Sequence, residues 1–401
     1  MTPLEVAQDA ILHALKPLPT ESVALDEACG RITACDIHAP TDLPSFDSSA
    51  FDGYAVRADD TISASQESPA TLDLLGSIMA GDAPDLVVTP GCGARIFTGA
   101  VLPAGADAIV MQEDARIDAQ ARLVVTEPVT PWEGVRLAGG DVRRGATLIG
   151  AGERIKPTHI GLLAAAGIAS LQVHRRPRLT FLSTGDELTE PGIALAPGRI
   201  YDSNRPLLHA LASREGIPVW HSKRIPDQIE LVMAALHEAM RDAEVIITTG
   251  GVSVGEADFV KPAISALGGS VEVWRLAMKP GKPFAWGRLQ NTCWFGLPGN
   301  PVSAFVSWWL LVRPALRHLM GMKKPFGRRL LSRLAEPATN PGDRRHFLRV
   351  HLDDQGLTHI SGSQASHIQH GLAGANALLD LPPGADWPAG REVFVESLDL
   401  D

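Results

Sequence analysis

The chain lacks an excess of positive charge: 36 Lys and Arg stand against 46 Asp and Glu among 401 residues, a formal net charge of -10. Phosphate backbones demand dense Lys and Arg, so a nucleic-acid-binding surface is excluded, and any anion site must be a local positive island. Cysteine is scarce. The four present, Cys29, Cys35, Cys92 and Cys293, have no C-x-x-C spacing, which excludes a disulfide framework and a zinc knuckle. Free, buried thiols in a reducing, cytoplasmic compartment are the expectation. Long apolar runs are missing too. The most apolar stretch, 302–312, is about half a membrane span and ends at Arg313 and Pro314, as a core helix would. The first residues carry no basic region followed by an apolar run; Thr2, Pro3 and Glu5 resemble a helix capping box. A content of 45% hydrophobic and 20% charged residues excludes disorder and predicts a soluble globular chain of about two to four domains.

Among what is present, residues 244–258 (EVIITTGGVSVGEAD) organise the rest. The β-branched run Val245, Ile246, Ile247, Thr248 and Thr249 has strand propensity. Gly250 and Gly251 give the backbone freedom for a tight turn, and Gly255 permits close approach to a ligand. Apolar spacing after Asp258 is helical, so Glu256 and Asp258 stand where a helix N-terminus exposes unpaired N–H groups. Glu256 and Ala257 occupy the places of the P-loop Lys and hydroxyl, and no G-x-G-x-x-G occurs, so both nucleotide-loop motifs are excluded. Alone, the segment is equally well read as a plain strand-to-helix turn.

Along the chain, Val6, Ile11, Leu12 and Leu15 give a first helix one apolar face, ended by Pro17 and Pro19. Residues 43–57 are turn-rich, with Asp52-Gly53 projecting a carboxylate. Short apolar runs broken by Gly, Pro and Asp from 71 to 129 predict a small β-rich domain. An Ala-rich helix at 157–166 is stopped by Gly167, and a strand follows at 170–174. From Arg178 to Met320 strands (179–183, 219–221, 245–249, 271–276, 294–297) alternate with helices, predicting a mostly parallel α/β sheet whose ligands lie at the carboxyl ends of the strands.

The residues just past those strands are Ser183-Thr184-Gly185-Asp186-Glu187, 250–258, Lys279-Pro280-Gly281-Lys282-Pro283 and, from 296, Gly-Leu-Pro298-Gly-Asn300-Pro301. All four loops bear glycine and polar groups. A parallel sheet brings such ends to one edge, placing Asp186, Glu187, Glu256 and Asp258 near Lys279 and Lys282. Carboxylates, lysines and free N–H groups suit a phosphorylated ligand shared with Mg²⁺, a hard cation that prefers oxygen. Each piece also has a plain reading: Glu187 as a cap, the lysines as a solvated turn, Asn300-Pro301 as N-cap and first helical residue. The pair His367 and His370 lacks a nearby third ligand and is not read as a metal site.

The segments FDSSAFDGYAVR, RIFTGA, ADAIVMQE, STGDEL, TTGGVSVGEAD, MKPGKPFAWG and FGLPGNPVSA, with GSQASHIQHGLAGAN at 362–376, resemble in order and spacing the molybdopterin molybdenumtransferase family, the MoeA type that includes the gephyrin E-domain. The resemblance runs essentially end to end. It implies an α/β multidomain homodimer: an interrupted scaffold (1–26, 45–57, 142–176), a β-rich insertion (27–44, 58–141), an α/β molybdopterin-binding domain (177–326) and a C-terminal β domain (327–401). The implied site is shared between subunits, with Asp52, Thr98, Arg136 and Asp141 completing the partner's.

The implied reaction is Mg²⁺-assisted insertion of molybdate into adenylylated molybdopterin with release of AMP. The resemblance carries catalytic roles to Asp52, Asp141, Glu187, Asp258 and Lys279. Substrate contacts go to Thr98, Arg136, Ser183, Thr184, Gly185, Asp186, Gly250, Gly251, Ser253, Gly255, Glu256, Arg275, Lys282, Pro298, Pro301 and Ser366. Mg²⁺ ligation goes to Asp227, Asp258 and Glu187. It also implies contacts with molybdopterin adenylyltransferase and molybdoenzyme maturation proteins. Two other activities are weighed beside it, molybdopterin adenylylation and a non-catalytic scaffold of gephyrin type. The family's four-part architecture speaks against the first, and the intact carboxylates with no fused partner domain speak against the second. Ser48 and Phe51 depart from the Asn and Met usual near the motif Asp, and Arg275 stands where many relatives have Lys, exchanging a point donor for a planar fork.

Overall fold

The computed structural model describes residues 1–83, 85–251 and 259–398. Its centre is a six-stranded sheet in the order Val219–Ile225, Leu179–Thr184, Val245–Thr249, Thr292–Leu297, Pro283–Leu289, Ser270–Arg275. The first four strands in that order are parallel to one another, and the last two form an antiparallel extension. Strand alternation sorts the sheet's two faces. Phe181, Ile247 and Phe295 join one buried cluster, while Leu182, Ile246 and Trp294 join the other. The strand Pro283–Leu289 is absent from the sequence reading, where the lysine-and-proline loop obscures it. It runs back antiparallel from the same edge, so the loop between Arg275 and Pro283 still lies beside the other carboxyl ends.

The chain leaves Leu179–Thr184 in one direction, through helix Asn204–Arg214 to Val219–Ile225. It then returns through helix Ile229–Ala239 to Val245–Thr249 on the other side. The crevice between Leu179–Thr184 and Val245–Thr249 is therefore a topological switch point, where ligands of open α/β sheets bind.

The stretch 302–312 is a core helix as expected: Pro301–Ser307 continues into a π-helical segment Trp308–Val312 and then Arg313–Leu319, nearly all buried. The N-terminal helix Leu4–Ala14 packs Leu4, Ala7 and Ile11 into the same cluster as Phe181 and Trp308, but Val6 points to solvent. No side chain caps that helix. Thr2 instead extends the sheet edge: its N–H donates to the Arg275 carbonyl (2.8 Å) and its carbonyl accepts from Ala277 N–H (2.9 Å), while Glu5 pairs with Arg345. Strand pairing thus outcompetes the capping box that the sequence suggested.

A second six-stranded sheet, in the order Ala108–Met111, Gly53–Val56, Cys92–Ile96, Ala70–Ile78, Leu123–Val125, Ala115–Ile117, forms the β-rich unit. Two boundaries differ from the sequence reading. Gly53–Val56, assigned above to the scaffold, is fully buried in this sheet. Part of 27–44, assigned to the insertion, pairs with the scaffold instead, Ile37–His38 with Thr147–Ile149 and Thr33 with Val173. The C-terminal strands close on themselves through pairing of Arg345–Leu352 with Ala377–Leu381, and Met278–Lys279 adds to this ring beside Arg345 and His346.

At the junction of these units Glu215, 4% exposed, accepts from Arg313 Nε (2.6 Å), Arg317 Nε (2.9 Å) and Arg154 Nη2 (2.8 Å). One carboxylate thereby ties the Arg154 loop to the helix after the sheet. The cysteines are free, as expected, but only Cys293 is buried; Cys29 and Cys35 are exposed and Cys92 is intermediate.

Candidate active site

A cavity of about 450 Å³ opens at the carboxyl edge, over the switch point. Its lining includes Thr184, Glu187, Asn204, Gly250, Pro298 and Asn300. The geometry follows from two glycines. Gly250 (φ +83°) turns the chain beside the neighbouring strand, where a Cβ would lie 2.8 Å from the Thr184 carbonyl oxygen. Gly185 (φ +148°) carries the Glu187 carboxylate over its own Cα, at 2.7 Å from where a Cβ would be. Only glycine combines that torsion with that close approach.

Beside Glu187, Asp186 and Asp227 exchange main-chain hydrogen bonds, Asp186 N–H to Asp227 Oδ2 (3.2 Å) and Asp227 N–H to Asp186 Oδ1 (3.3 Å). Burial, and then the charges of Asp186 and Glu187, push the Asp227 carboxyl above its usual range, even against the hydrogen bond from Asp186 N–H. Asp186 and Asp227 meet at one corner with Glu187 next in the chain, and the Arg199 guanidinium donates to the Asp186 carbonyl there; carboxylate oxygens are the donors that a hard divalent ion prefers. Among the described residues no three acids, histidines or cysteines converge closely enough to hold a metal by themselves. Mg²⁺ needs only one or two carboxylates when phosphate and water complete its shell.

The Ser183 hydroxyl, 1% exposed, donates to Asp202 Oδ2 (2.7 Å), and Arg205 Nε donates to the same carboxylate oxygen (3.0 Å). These contacts brace the loop from beneath. Lys279 and Lys282 are exposed on the neighbouring loop; Lys279 faces His346 across a strand pair, and Lys282 accepts at its carbonyl from Leu276 N–H (2.9 Å). His346 is pushed down to about 4, by burial first and then by Lys279, Arg349 and Arg344. Among the described residues, His346 Nε2 and the Nε and Nη1 of fully buried Arg349 have no hydrogen-bond partner. A local cationic cluster of Lys279, Arg344 and Arg349 therefore surrounds His346 in an acidic chain. Arg275 is exposed, and its carbonyl is tied to Thr2.

The C-terminal unit reaches the rim of the cavity. Ser366 Oγ accepts from Asn300 Nδ2 (3.3 Å), and the Ser366 carbonyl accepts from Val302 N–H (3.2 Å), just past Pro301. Asn300 is the N-cap residue of its helix, as read, but no side-chain cap hydrogen bond forms. Its amide is spent on Ser366. Ser253, Gly255, Glu256 and Asp258 lie outside the described residues; Gly251 is the last described residue before them.

A second group of expected residues lies elsewhere on the chain. Asp52 Oδ1 accepts from Thr98 N–H (2.9 Å) and Thr98 Oγ1 (2.7 Å). Those two donors, and then Arg95, hold the Asp52 carboxyl below its usual range against a slight desolvation. Arg136 and Asp141 line a separate open hollow of about 630 Å³ with Leu43, Pro44 and Leu137. None of these four residues lines the sheet-edge cavity of the same chain. Sequence reasoning missed Asn204, 8% exposed, whose Nδ2 donates to the Gly299 carbonyl (2.7 Å) while its Oδ1 has no partner among the described residues. The D-S-N triplet at a helix start was the available signal. It also missed the basic cluster around His346, which shows in the sequence only as R-R-H-F-L-R.

Sheet, switch point and loop cluster define a ligand-binding α/β protein with a charged cleft at the sheet's carboxyl edge. Residues 2–167 match the MoeA N-terminal region (domain I and II), 180–318 a probable molybdopterin binding domain and 332–398 the MoeA C-terminal region (domain IV). The chain is 41% identical over 380 residues to molybdopterin molybdenumtransferase 2 of Mycobacterium tuberculosis, covering 93% of this chain and 92% of that one. It is 37% identical over 405 residues to the molybdopterin molybdenumtransferase of Haemophilus influenzae, covering 99% and 98%. A solved molybdopterin biosynthesis MoeA protein from Pyrococcus horikoshii superposes with TM-score 0.85 at 26% identity, over 99% of this chain and 100% of that one. The chain belongs to the molybdopterin molybdenumtransferase family, the enzymes of molybdenum cofactor biosynthesis.

Proposed function

We propose that the protein inserts molybdate into adenylylated molybdopterin, releasing AMP and the molybdenum cofactor. The observation that supports this reading is a sheet-edge cavity lined by Glu187 and Pro283: Glu187 follows the hydrogen-bonded pair Asp186 and Asp227, and Pro283 follows the exposed loop that bears Lys279 and Lys282. The lysines hold the oxyanion and the pterin phosphates, and main-chain N–H groups of the glycine loops add neutral donors. Asp186, Glu187 and Asp227, with Asp258, are the groups that would hold Mg²⁺. When bound there, Mg²⁺ supplies charge neutralisation and polarises the phosphoanhydride that is cleaved. No protein nucleophile is required: the dithiolene sulfurs of the substrate replace oxide ligands of the oxyanion, which leave as water with the thiol protons, and water attacks the phosphoanhydride phosphorus, displacing AMP. The placement of Asp52, Thr98, Arg136 and Asp141 away from the cavity supports a homodimer in which they face the partner's cleft. Exposed Phe51 and Met111 beside Asp52 fit a surface covered by a second subunit. Within this reading, Thr184, Gly185, Gly250, Gly251 and Pro298 shape the pocket, Ser183 braces it, and Arg275, Pro301 and Ser366 form its rim. The scaffold, β-rich, α/β and C-terminal units act as separate domains, and the protein works in the cytoplasm beside the adenylylating enzyme and the maturation proteins that take up its product.

The test supplies purified protein with adenylylated molybdopterin, Mg²⁺ and molybdate, then measures AMP and the activation of an apo-molybdoenzyme. Turnover of ATP with free molybdopterin, without AMP release from the adenylylated substrate, would replace this reading with adenylylation. Tungstate in competition reports the oxyanion preference. Asp52→Asn is expected to lower activity at least about tenfold, one pair of charge-assisted bonds, while the thermal midpoint and dimer mass stay unchanged.

A further inference from the structure

Arg95 lies on strand Cys92–Ile96, directly opposite Tyr54 and two residues from Phe97, so the three side chains share one face of the β-rich sheet. Its guanidinium carbon sits 4.8 Å from the Tyr54 ring centroid and 5.1 Å from that of Phe97. Its Nη2 donates to Gln112 Oε1 at 2.6 Å. Among the described residues no carboxylate forms an ion pair with it. Two rings and an amide thus fix the cation in place without neutralising it, an arrangement that keeps a guanidinium ordered and available.

The same residues frame Asp52. Gln112 N–H donates to the Asp52 carbonyl at 3.1 Å, so one residue anchors the Asp52 main chain and the Arg95 side chain together. Thr98, three residues after Arg95, holds the carboxylate. Tyr54, two residues after Asp52, stacks on the cation. The Arg95 charge reaches Asp52 through space, where it adds to the effect of Thr98. An anionic substrate brought up to a bare Asp52 carboxylate would be repelled. A fixed cation beside that carboxylate offsets its charge and gives the oxyanion a donor.

We infer that Arg95 recognises a tetrahedral oxyanion of the substrate and presents it to Asp52. Its ligand is a phosphate oxygen of adenylylated molybdopterin or the molybdate ion, which share this chemistry. The inference rests on the proposed insertion reaction and on this face belonging to the site. It goes beyond that reading by naming a binding residue outside the sheet-edge loops.

The test uses the full-length protein as Arg95→Gln and Arg95→Lys, beside Asp52→Asn, with separate Michaelis constants for adenylylated molybdopterin and for molybdate. Arg95→Gln is expected to raise the constant of one of the two about tenfold while kcat changes less than about twofold, as loss of one charge-assisted contact does. Which constant rises identifies the oxyanion. Arg95→Lys is expected to recover part of the loss, and the KM of Arg95→Gln is expected to depend less on ionic strength than that of the wild type or of Arg95→Lys. A purely structural arginine would lower kcat and thermal midpoint together, without rescue by Lys, and that pattern overturns the inference. If Arg95→Gln leaves both constants unchanged while Asp52→Asn impairs turnover, Arg95 is not the recognition residue and the proposed reaction stands. If neither variant affects turnover, this face is not part of the site at all.

Discussion

Asp186 and Asp227 are locked to each other by two reciprocal hydrogen bonds, each main-chain N–H donating to the other's carboxylate, at 3.2 and 3.3 Å, although their side chains carry like charges. The strand ends after Leu179–Thr184 and Val219–Ile225 are thereby held in a geometry that electrostatics opposes. Active sites commonly keep such strain because a ligand relieves it.

The first expected outcome concerns Asp227. Its folded carboxyl sits above the usual range, through burial first and then Asp186 and Glu187. A raised folded value means that the group favours the folded state in acid and that this contribution is lost as pH rises through the raised value. At neutral pH the Asp227 charge is a net cost. Asp227→Asn keeps the acceptor for Asp186 N–H and removes that charge. Without divalent ions at pH 7 it should raise the thermal midpoint by about 1–3 °C, with the gain disappearing toward pH 4. Mg²⁺ affinity, by titration calorimetry, should fall about tenfold or more. A lower midpoint at pH 7 would show that the acid is structural.

Gly185 gives a second. A methyl group there would meet the Glu187 carboxylate at 2.7 Å and hold a φ of +148°, which side-chain-bearing residues avoid. Gly185→Ala should cost about 1–3 kcal/mol of stability and lower kcat/KM at least about tenfold by displacing Glu187. The double variant with Glu187→Ala should regain part of the stability and none of the activity, as read by denaturant unfolding and AMP release. Recovery of activity in the double variant would remove Glu187 from the site.

Much of this site is legible in the sequence because its signals are local. A β-branched run broken by Gly250 marks a strand end, and four such ends converge once the sheet is parallel. Ligand loops written by Gly, Pro and acid residues carry their meaning in a few positions. Other features depend on partners distant in the chain. Thr2 is drawn into pairing with a strand some 270 residues away, which no local capping rule anticipates. Strand Pro283–Leu289 is hidden because its polar, proline-bearing entry looks like a loop, whereas its burial comes from neighbours on both sides. The exchange between 27–44 and Gly53–Val56 has the same origin, since both are short strands whose sheet is chosen by tertiary pairing. The amide of Asn300 likewise goes to Ser366 in another unit rather than to its own helix.

Glu215 gives the third. Burial alone would raise its carboxyl, but Arg317 and then Arg313 outweigh it and hold the value below the usual range. The sign is opposite to that of Asp227: a depressed folded value gives stability that is full above the unfolded value and lost as pH falls through the folded one. Glu215→Gln leaves the Arg154, Arg313 and Arg317 guanidiniums without their common counter-charge in a nearly dry site. Breaking a buried ion cluster from one side costs about 3–5 kcal/mol, and the variant should lose the wild type's extra sensitivity to unfolding below about pH 4.5. Equilibrium unfolding in urea at pH 7 and pH 4 measures both. A loss below about 1 kcal/mol at pH 7 would mean that the cluster contributes little to joining the units.

The fourth concerns the cysteines, where sequence and structure part most plainly. Cys293 lies within the central sheet, and burial pushes its thiol up to about 12, although Trp286 Nε1 donates to its Sγ at 3.2 Å and Arg288 adds a lowering charge. Cys29 and Cys35 are exposed and Cys92 is half-buried. The thiolate is the reactive form, so at pH 8 Cys293 should hold about a thousandfold less of it than a thiol at the ordinary value of 9.0. A chromogenic disulfide reagent added to the native protein should therefore titrate Cys29 and Cys35 quickly and Cys92 more slowly, leaving Cys293 silent until denaturant is added. Mass spectrometry of the labelled peptides identifies each. Because none of the four is needed for the proposed reaction, a protein labelled only at Cys29 and Cys35 should keep its AMP-releasing activity within about twofold, where a thiol nucleophile at either position would abolish it. Fast labelling of Cys293 in the native state would show that the sheet opens locally far more often than its packing implies.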